Sequence, residues 1–204
     1  MPMLLGMLAL VSSAVPGAYA APKTPNKATT EAPAAAVASK KFKLTLGELK
    51  FVAPASVKAF NVHGQAEELE GSLELAGNEV KQLLVTVSPE KLTTKMSMRD
   101  KHMRERIFET GGKFPTIRFT GQGTCTGTDV LECPLKGNMS IRDVEAPFEL
   151  ALKITPDGDK QKLSGSTIVK LSSFKIEKPS QLGITVADEV NVSFDVGAVQ
   201  ASAP

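Results

Sequence analysis

The feature that most constrains this chain is a period-two alternation of apolar and polar residues that recurs from Phe42 to Val196. Phe42, Leu44 and Leu46 alternate with Lys41, Lys43 and Thr45, and Leu69, Leu73 and Leu75 fall on one face of the next run. Leu83, Val85 and Val87 follow, then Ile117 and Phe119. Phe148, Leu150, Leu152 and Ile154 form a longer run, as do Val190, Val192, Phe194 and Val196. In a strand, successive side chains point to opposite faces, so each run buries one face and wets the other. Turn signals separate the runs: Gly64, Ala76-Gly77-Asn78, Gly127-Thr128-Asp129 and Pro156-Asp157-Gly158-Asp159. Strands joined by hairpin-length connections predict an all-β antiparallel sandwich or barrel of about eight strands. No helices alternate with them, which excludes a βαβ architecture.

One segment departs from that period. From Ser88-Pro89-Glu90 to Phe108, Leu92, Met96, Met103 and Ile107 recur near a 3.6-residue spacing, with Arg99, Lys101, Arg104 and Arg106 largely elsewhere on the wheel. This predicts an amphipathic helix that ends before Gly111-Gly112 and caps one end of the sheet. Asp100 and Arg104, four apart, suit a helical turn.

The N-terminal region divides differently. Leu4 to Val15 is an apolar run of about a dozen residues, short of the roughly 20 that span a bilayer. Ala18-Tyr19-Ala20 follows and suits signal-peptidase cleavage, although no Lys or Arg precedes the run. Residues 1–20 are therefore read as a signal peptide, and 21–40, nearly all Ala, Pro, Thr and Lys, as a disordered linker. Residues 41–197 form the folded domain. The expected mature chain is periplasmic or secreted in a bacterium and has no transmembrane segment.

Composition removes several functions. The formal charge is +2, its 24 basic residues are interleaved with 22 acidic ones, and there is one Tyr and no Trp. Neither a basic stripe nor stacking platforms for bases are present, so nucleic acid is not an expected partner. No nucleophile elbow, phosphate-binding glycine loop or metal-spaced histidine cluster occurs, and His63 and His102 are far apart in sequence. His63, beside Gly64, reads as a solvated loop residue.

Cys125 and Cys133 flank a Gly-Thr-Asp turn and would stand nearly opposite each other in a hairpin. In an oxidising compartment a disulfide is the favoured reading. A metal site needs more ligands than these two.

Several segments in order resemble one known family. Met98-Arg99-Asp100-Lys101-His102-Met103, then Phe108 and Gly112-Lys113-Phe114-Pro115-Thr116-Ile117-Arg118-Phe119, resembles the central signature of the YceI-like family. In that family an Arg-Asp-x-His helix leads to an aromatic-Pro-x-Ile-x-Phe strand entry. Leu135 to Val144 is similar to the family's Gly-x-Leu-Thr-Ile-x-Gly-Val strand pair, though Asn138-Met139-Ser140-Ile141-Arg142-Asp143 lacks its His-Gly turn. Ser173-Phe174-Lys175-Ile176, Pro179, Gly183 and Val186 to Val192 resemble its closing segment. The resemblance implies a lipocalin-like barrel around an apolar tunnel that binds polyisoprenoid-type chains, such as quinone or prenol tails, without covalent chemistry. It implies a non-covalent isoprenoid lipid in place of any covalent cofactor, an amphiphilic lipid as partner, and no enzymatic activity. It is also compatible with a homodimer.

Aliphatic walls contributed by every strand suit a flexible hydrocarbon through area burial. The candidate tunnel lining is Leu44, Phe60, Leu73, Val85, Phe119, Phe148, Leu150, Leu152, Ile168 and Phe194, each of which is equally readable as ordinary core. Arg99, Asp100 and His102 have three readings: anchoring of the helix, contact with a lipid headgroup, or acid–base catalysis. Asp100 and His102, two apart on a helix, point in different directions, which weakens a catalytic pair. A barrel packed solid, acting as an interaction module, and an enzyme modifying the bound lipid stand as alternatives.

Overall fold

The computed structural model describes residues 38–201. The proposed signal peptide, and all but the last residues of the proposed linker, lie outside the described residues. The described chain is built from twelve strands: β1 Lys40–Ala53, β2 Val62–Ala66, β3 Glu70–Ala76, β4 Glu79–Val87, β5 Leu92–Thr93 and β6 Ile117–Thr124. Then come β7 Leu131–Ile141, β8 Val144–Asp157, β9 Lys160–Lys170, β10 Ser180–Gln181, β11 Ile184–Thr185 and β12 Glu189–Gln200. A short helix, α1, covers Ser97–Met103 and widens into a π-helical turn over Arg104–Phe108.

Eight strands pair antiparallel in the order β12-β9-β8-β7-β6-β4-β3-β1, and β1 pairs back onto β12, which closes an eight-stranded barrel. Closure removes the free edge over most of the wall, the usual solution for an all-β domain. β1 is long because it serves two neighbours: Lys40–Lys43 pair with β3, and Lys50–Ala53 pair with β2. The change of partner follows a bulge between Thr45 and Glu48, where a side chain on Gly47 would collide with the Asp195 carbonyl. A bulge bends and twists a strand, and here it accompanies the change from β3 to β2 on one edge while β12 stays paired along the other.

The barrel has two unlike ends. One, the hairpin end, carries the β3–β4 turn, the β8–β9 turn and the Cys125–Cys133 disulfide, with a Cα–Cα distance of 4.1 Å. The other, the helix end, carries α1, the Arg142-Asp143 turn, the segment before β2 and the excursion between β9 and β12. Near the hairpin end Leu73, Val80, Leu83, Leu135, Ile154 and Leu163 are all 2 % exposed or less. A second apolar cluster, Ile141, Val169, Leu171, Phe174 and Ile176, lies toward the helix end. It sits where the wall is thinnest: β8 pairs with β9 only from Leu152 onward, and the first half of β8 has no partner on β9. Phe174, 1 % exposed, follows β9 and packs in this cluster with Val144, Ala146 and Phe148.

The helix is shorter than its periodicity suggested. Pro89–Lys91 is a single 3₁₀ turn, and Leu92–Thr93 pair with Ala66 and Gln65 of β2 instead of continuing a helix. β-branched Thr93 and Thr94, followed by Lys95 at φ 61°, give the backbone an extended and then left-handed path that no α-helix crosses. The chain leaves the helical turn at Phe108, before the two glycines. The capping role holds: Met103 is buried in the barrel core, and Ile107 and Phe108 pack against both apolar clusters. Gly64 is likewise not a turn. It lies within β2, and the neighbouring His63 is an exposed strand residue rather than a loop residue.

Candidate functional site

Two sets of residues meet at the helix end: apolar side chains inside the barrel and the polar Arg-Asp-x-His segment over its mouth. Toward the helix end, the inward-facing Leu49, Phe51, Val85, Met139, Phe148 and Phe194 are half-buried, whereas Val87 and Phe119 among them are buried. The half-buried ones face the same interior as the closed core yet keep part of their surface accessible. An apolar wall that faces inward without being fully covered is a candidate surface for an apolar ligand.

The width of this region is set by a repeated pairing of phenylalanine with glycine. Phe51 stands opposite Gly64, Phe148 opposite Gly137, and Phe194 opposite Gly165, while Phe119 lies over Gly121 two residues along the same strand. At Gly64 a side chain would lie only 2.6 and 2.8 Å from Phe51 ring carbons, at Gly165 2.7 Å from the Phe194 ring, and at Gly121 2.5 Å from the Phe119 ring. Each of these three rings therefore rests against the bare backbone of a glycine, which takes it out of the middle of the barrel. Phe119 and Phe148 meet edge to face, with ring centroids 5.8 Å apart, the favoured aromatic geometry.

Over the mouth, Asp100 is one of two buried polar residues in the described core, 5 % exposed; the other is Thr94. The Thr93 hydroxyl donates to Asp100 Oδ2 at 2.8 Å, and the Thr94 amide and hydroxyl donate to Oδ1 at 2.7 and 2.6 Å. Burial pushes the Asp100 carboxyl up, but these hydrogen bonds and the Arg104 charge outweigh it and hold the group below its ordinary value. Both oxygens are thus committed to the loop before the helix, and Asp100 fastens α1 to β5. Arg104 adds a bond from Nε to the Asp100 carbonyl at 3.1 Å. Arg99 and His102, on the same helix, are half-buried and free of the described ion pairs.

The ten expected lining residues divide three ways. Val85, Phe148 and Phe194 lie on the half-covered interior, with buried Phe119 beside them and Leu150 at its inner border. Leu44, Leu73 and Leu152 are buried in the packed core. Phe60 and Ile168 are not on the interior and must be corrected. Phe60 is 56 % exposed on the 3₁₀ turn Lys58–Phe60 before β2, where the alternation does not apply. Ile168 is 49 % exposed because Leu163, Gly165 and Val169 hold the inward positions of β9, which leaves even-numbered residues outside. Leu49, Phe51 and Met139 were missed, as was every glycine partner; the signal available was glycine at inward positions of alternating runs, as in Leu135-Lys136-Gly137-Asn138-Met139.

Two grooves mark the outer wall. One, of about 440 Å³, is lined by polar side chains including Lys81, Arg118, Lys136 and Asn138. The other, of about 960 Å³, opens where β3 parts from β1 and is edged by Glu67, Glu68 and Glu70. The first is polar, whereas the second also reaches Leu44, Leu69 and Leu84. Among the described residues no cluster of three His, Cys, Asp or Glu could hold a metal ion, and no helix is long and apolar enough to cross a membrane.

The sequence matches the model of the YceI-like domain over residues 32–198. The chain belongs to the YceI-like family. Solved structures share the barrel. A polyisoprenoid-binding domain from Saccharophagus degradans, implicated in plant cell wall breakdown, superposes with a TM-score of 0.62 at 12 % identity, over 78 % of this chain and 98 % of that one. Burkholderia cenocepacia BcnA gives 0.61 at 14 % identity, over 74 % and 96 %. The Campylobacter jejuni YceI protein gives 0.57 at 21 % identity, over 70 % and 86 %. No curated protein matches this chain. At these identities the likeness establishes the fold, and it agrees with the eight-stranded closure of this YceI-like barrel.

Proposed function

We propose that this protein binds an apolar, isoprenoid-type lipid chain in the helix-end half of its barrel, as an exported carrier or sequestering protein and not as an enzyme. One observation carries the reading: inward-facing Leu49, Phe51, Val85, Met139, Phe148 and Phe194 stay half-covered while three rings lie against glycines. The family, and a structural neighbour described as polyisoprenoid-binding, point the same way. Walls of Leu, Val, Met and Phe offer area burial and no orienting polar group, so affinity should follow chain length and branching. The lipid's polar head would remain at the mouth, near Arg99 and His102. Export is supported by the disulfide and by the short apolar run ending at Ala18-Tyr19-Ala20. Against catalysis, the Asp100 oxygens are occupied by Thr93 and Thr94, so Asp100 does not orient His102.

The test is native mass spectrometry of the protein after incubation with a long-chain isoprenoid quinone, repeated after denaturation. An adduct of the quinone's mass, lost on unfolding, supports carriage. Protein that stays bare at saturating quinone would show a filled barrel and overturn the reading.

A further inference from the structure

The large apolar side chains most exposed to solvent are not scattered. Phe60 is 56 % exposed, Met96 52 %, Met98 72 % and Leu182 94 %, and all four sit on loops or on α1 at the helix end, with Val57 at 47 % on the same segment as Phe60; Ile168, at 49 %, is on the outer face of β9. Single exposed apolar residues need no explanation, but a group around one mouth does. The loops that carry Phe60 and Leu182 are tied together: the Ser56 amide donates to the Thr185 carbonyl at 2.8 Å, and the Ala187 amide to the Pro54 carbonyl at 2.7 Å.

Leu182 is the most telling of them. β10 and β11 pair through Gln181 and Ile184, leaving Leu182-Gly183 as a two-residue turn. Leu182 has φ 51° and Gly183 φ 79°, the pair of positive values that a type I′ turn demands. Asn, Asp or Gly suits the first of those positions, and a bulky residue there is strained. A leucine held in that conformation with almost its whole side chain in water contributes nothing to the fold's own packing. Strain of this kind marks a position kept for another purpose.

The charges beside these tips favour one partner. Lys58, Arg99, Arg104, Arg106, Lys113, Arg142, Lys175 and Lys178 lie on the helix-end segments and take part in none of the described ion pairs; Glu90, Glu109, Asp143, Glu177 and Asp188 there are unpaired as well, while Glu67, Glu68 and Glu105 are paired with Lys95, Lys91 and Lys101, so this end carries a small excess of basic residues. The loops at the hairpin end carry Asp129 and Asp159 and no basic residue. Exposed apolar tips among unpaired cations suit the interface of an anionic bilayer, where hydrophobic insertion and surface charge act together.

We propose that the helix-end rim docks on an anionic lipid bilayer, inserting Leu182, Met98 and Phe60, and so presents the barrel mouth to the membrane. The purpose of docking rests on the lipid-carrying reading, but the docking itself does not, because it is measured with vesicles that hold no isoprenoid.

The experiment is co-sedimentation of the full chain with vesicles of phosphatidylglycerol and phosphatidylethanolamine, and with phosphatidylcholine vesicles. Any contribution of the N-terminal segment is common to all variants. The expected result is binding to the anionic vesicles that weakens with salt, with at least tenfold weaker binding for Leu182→Asn and for Met98→Ser. Val130→Ser, at the hairpin end, should bind like the wild type. Leu182→Asn should melt no lower than the wild type, since asparagine suits the turn; if it does melt lower, Met98→Ser on its separate element decides. Absence of wild-type binding, equal binding by both rim variants, or a wild-type dimer that Leu182→Asn dissolves would each overturn the proposal. Failure of the quinone adduct with vesicle binding intact would remove the cargo and leave the docking surface.

Discussion

At the hairpin end, the inward positions of the barrel carry Leu, Val and Ile that mesh to 2 % exposure or less, and a disulfide ties two adjoining segments. At the helix end the same strands carry Phe against Gly, and apart from the buried Phe119 these rings, with Leu49, Val85 and Met139 between them, stay half-covered. Both halves obey the same alternation and the same pairing registers. What separates them is side-chain volume: aliphatic residues fill the axis of a small barrel, whereas glycine lets a ring lie back against the wall. One barrel thus holds a packed half and a half-covered half, and if the proposed function is right, substitutions should sort by the half they fall in.

The largest effect should come from the packed half. Leu152→Ala removes a side chain that is 1 % exposed, and large-to-small changes of this kind cost about 2–5 kcal/mol. Chemical denaturation would show the loss, and quinone binding at a temperature where the variant is folded should be unchanged. A variant that lost binding in proportion to stability would break the division between halves.

Next is the disulfide, separated by 8 in sequence. Closing so short a loop is worth about 2–3 kcal/mol in the chain-entropy account. Cys125→Ser with Cys133→Ser should therefore lower the melting temperature and leave binding alone, since the bridge lies at the opposite end from the half-covered interior.

Gly64→Ala probes the other half. The added methyl would meet the Phe51 ring, with no backbone atom among its nearest contacts, so the ring must turn into the interior. Over-packing costs about 1–3 kcal/mol, and quinone affinity should fall about tenfold or more. Phe51→Leu in the same chain should restore binding by shortening the obstructing side chain. Isothermal titration of the two variants checks both steps, and a single variant that binds normally would show that the glycine does not set the width.

How much of this was readable from sequence follows from which forces are local. The alternation marked the long barrel strands, and the spacing of Cys125 and Cys133 gave the disulfide, because both depend on neighbours a few residues away. Phe60 was misplaced because an apolar residue in a short turn has no period to orient it. Ile168 was misplaced because Gly165 occupies an inward position of β9 and breaks the visible phase of the run. Leu92–Thr93 looked helical because their pairing with β2 depends on a strand far back in the sequence. The division of the barrel into a filled and an open half was not legible, since it depends on which glycine faces which ring across strands.

Asp100→Asn tests the latch over the open half. The amide can accept at one oxygen only, so donors from Thr93 or Thr94 lose a partner, at a cost of about 1–3 kcal/mol. The pH dependence has a definite sign. A carboxyl whose pKa is lower in the folded state contributes stability above its unfolded value, about 3.9, and loses that contribution as pH falls through the folded value. Wild type should lose its advantage over Asp100→Asn on acidification below about pH 4. Asp188, held low by the Ser172 hydroxyl and amide, titrates in the same sense in both proteins and cancels in the difference. A difference that stayed constant down to strong acid would show that the carboxylate charge is not what holds the helix.

The smallest effect is expected at His102. It is half-buried on α1 and makes none of the described side-chain hydrogen bonds, and Asp100 is turned away from it toward Thr93 and Thr94. His102→Ala should therefore leave stability within about 0.5 kcal/mol of wild type, as for a substitution away from the core. Quinone binding should change only as far as a headgroup contact at the mouth is lost, a few-fold at most. If His102 were instead an acid or base acting on the bound chain, the recovered lipid would differ between the two proteins, with product in the wild type and unmodified substrate in the variant. Mass spectrometry of lipid extracted from both, after incubation with the same quinone, separates the cases: identical lipid keeps the open half a binding site, and a difference found only in the wild type would make it a reaction chamber.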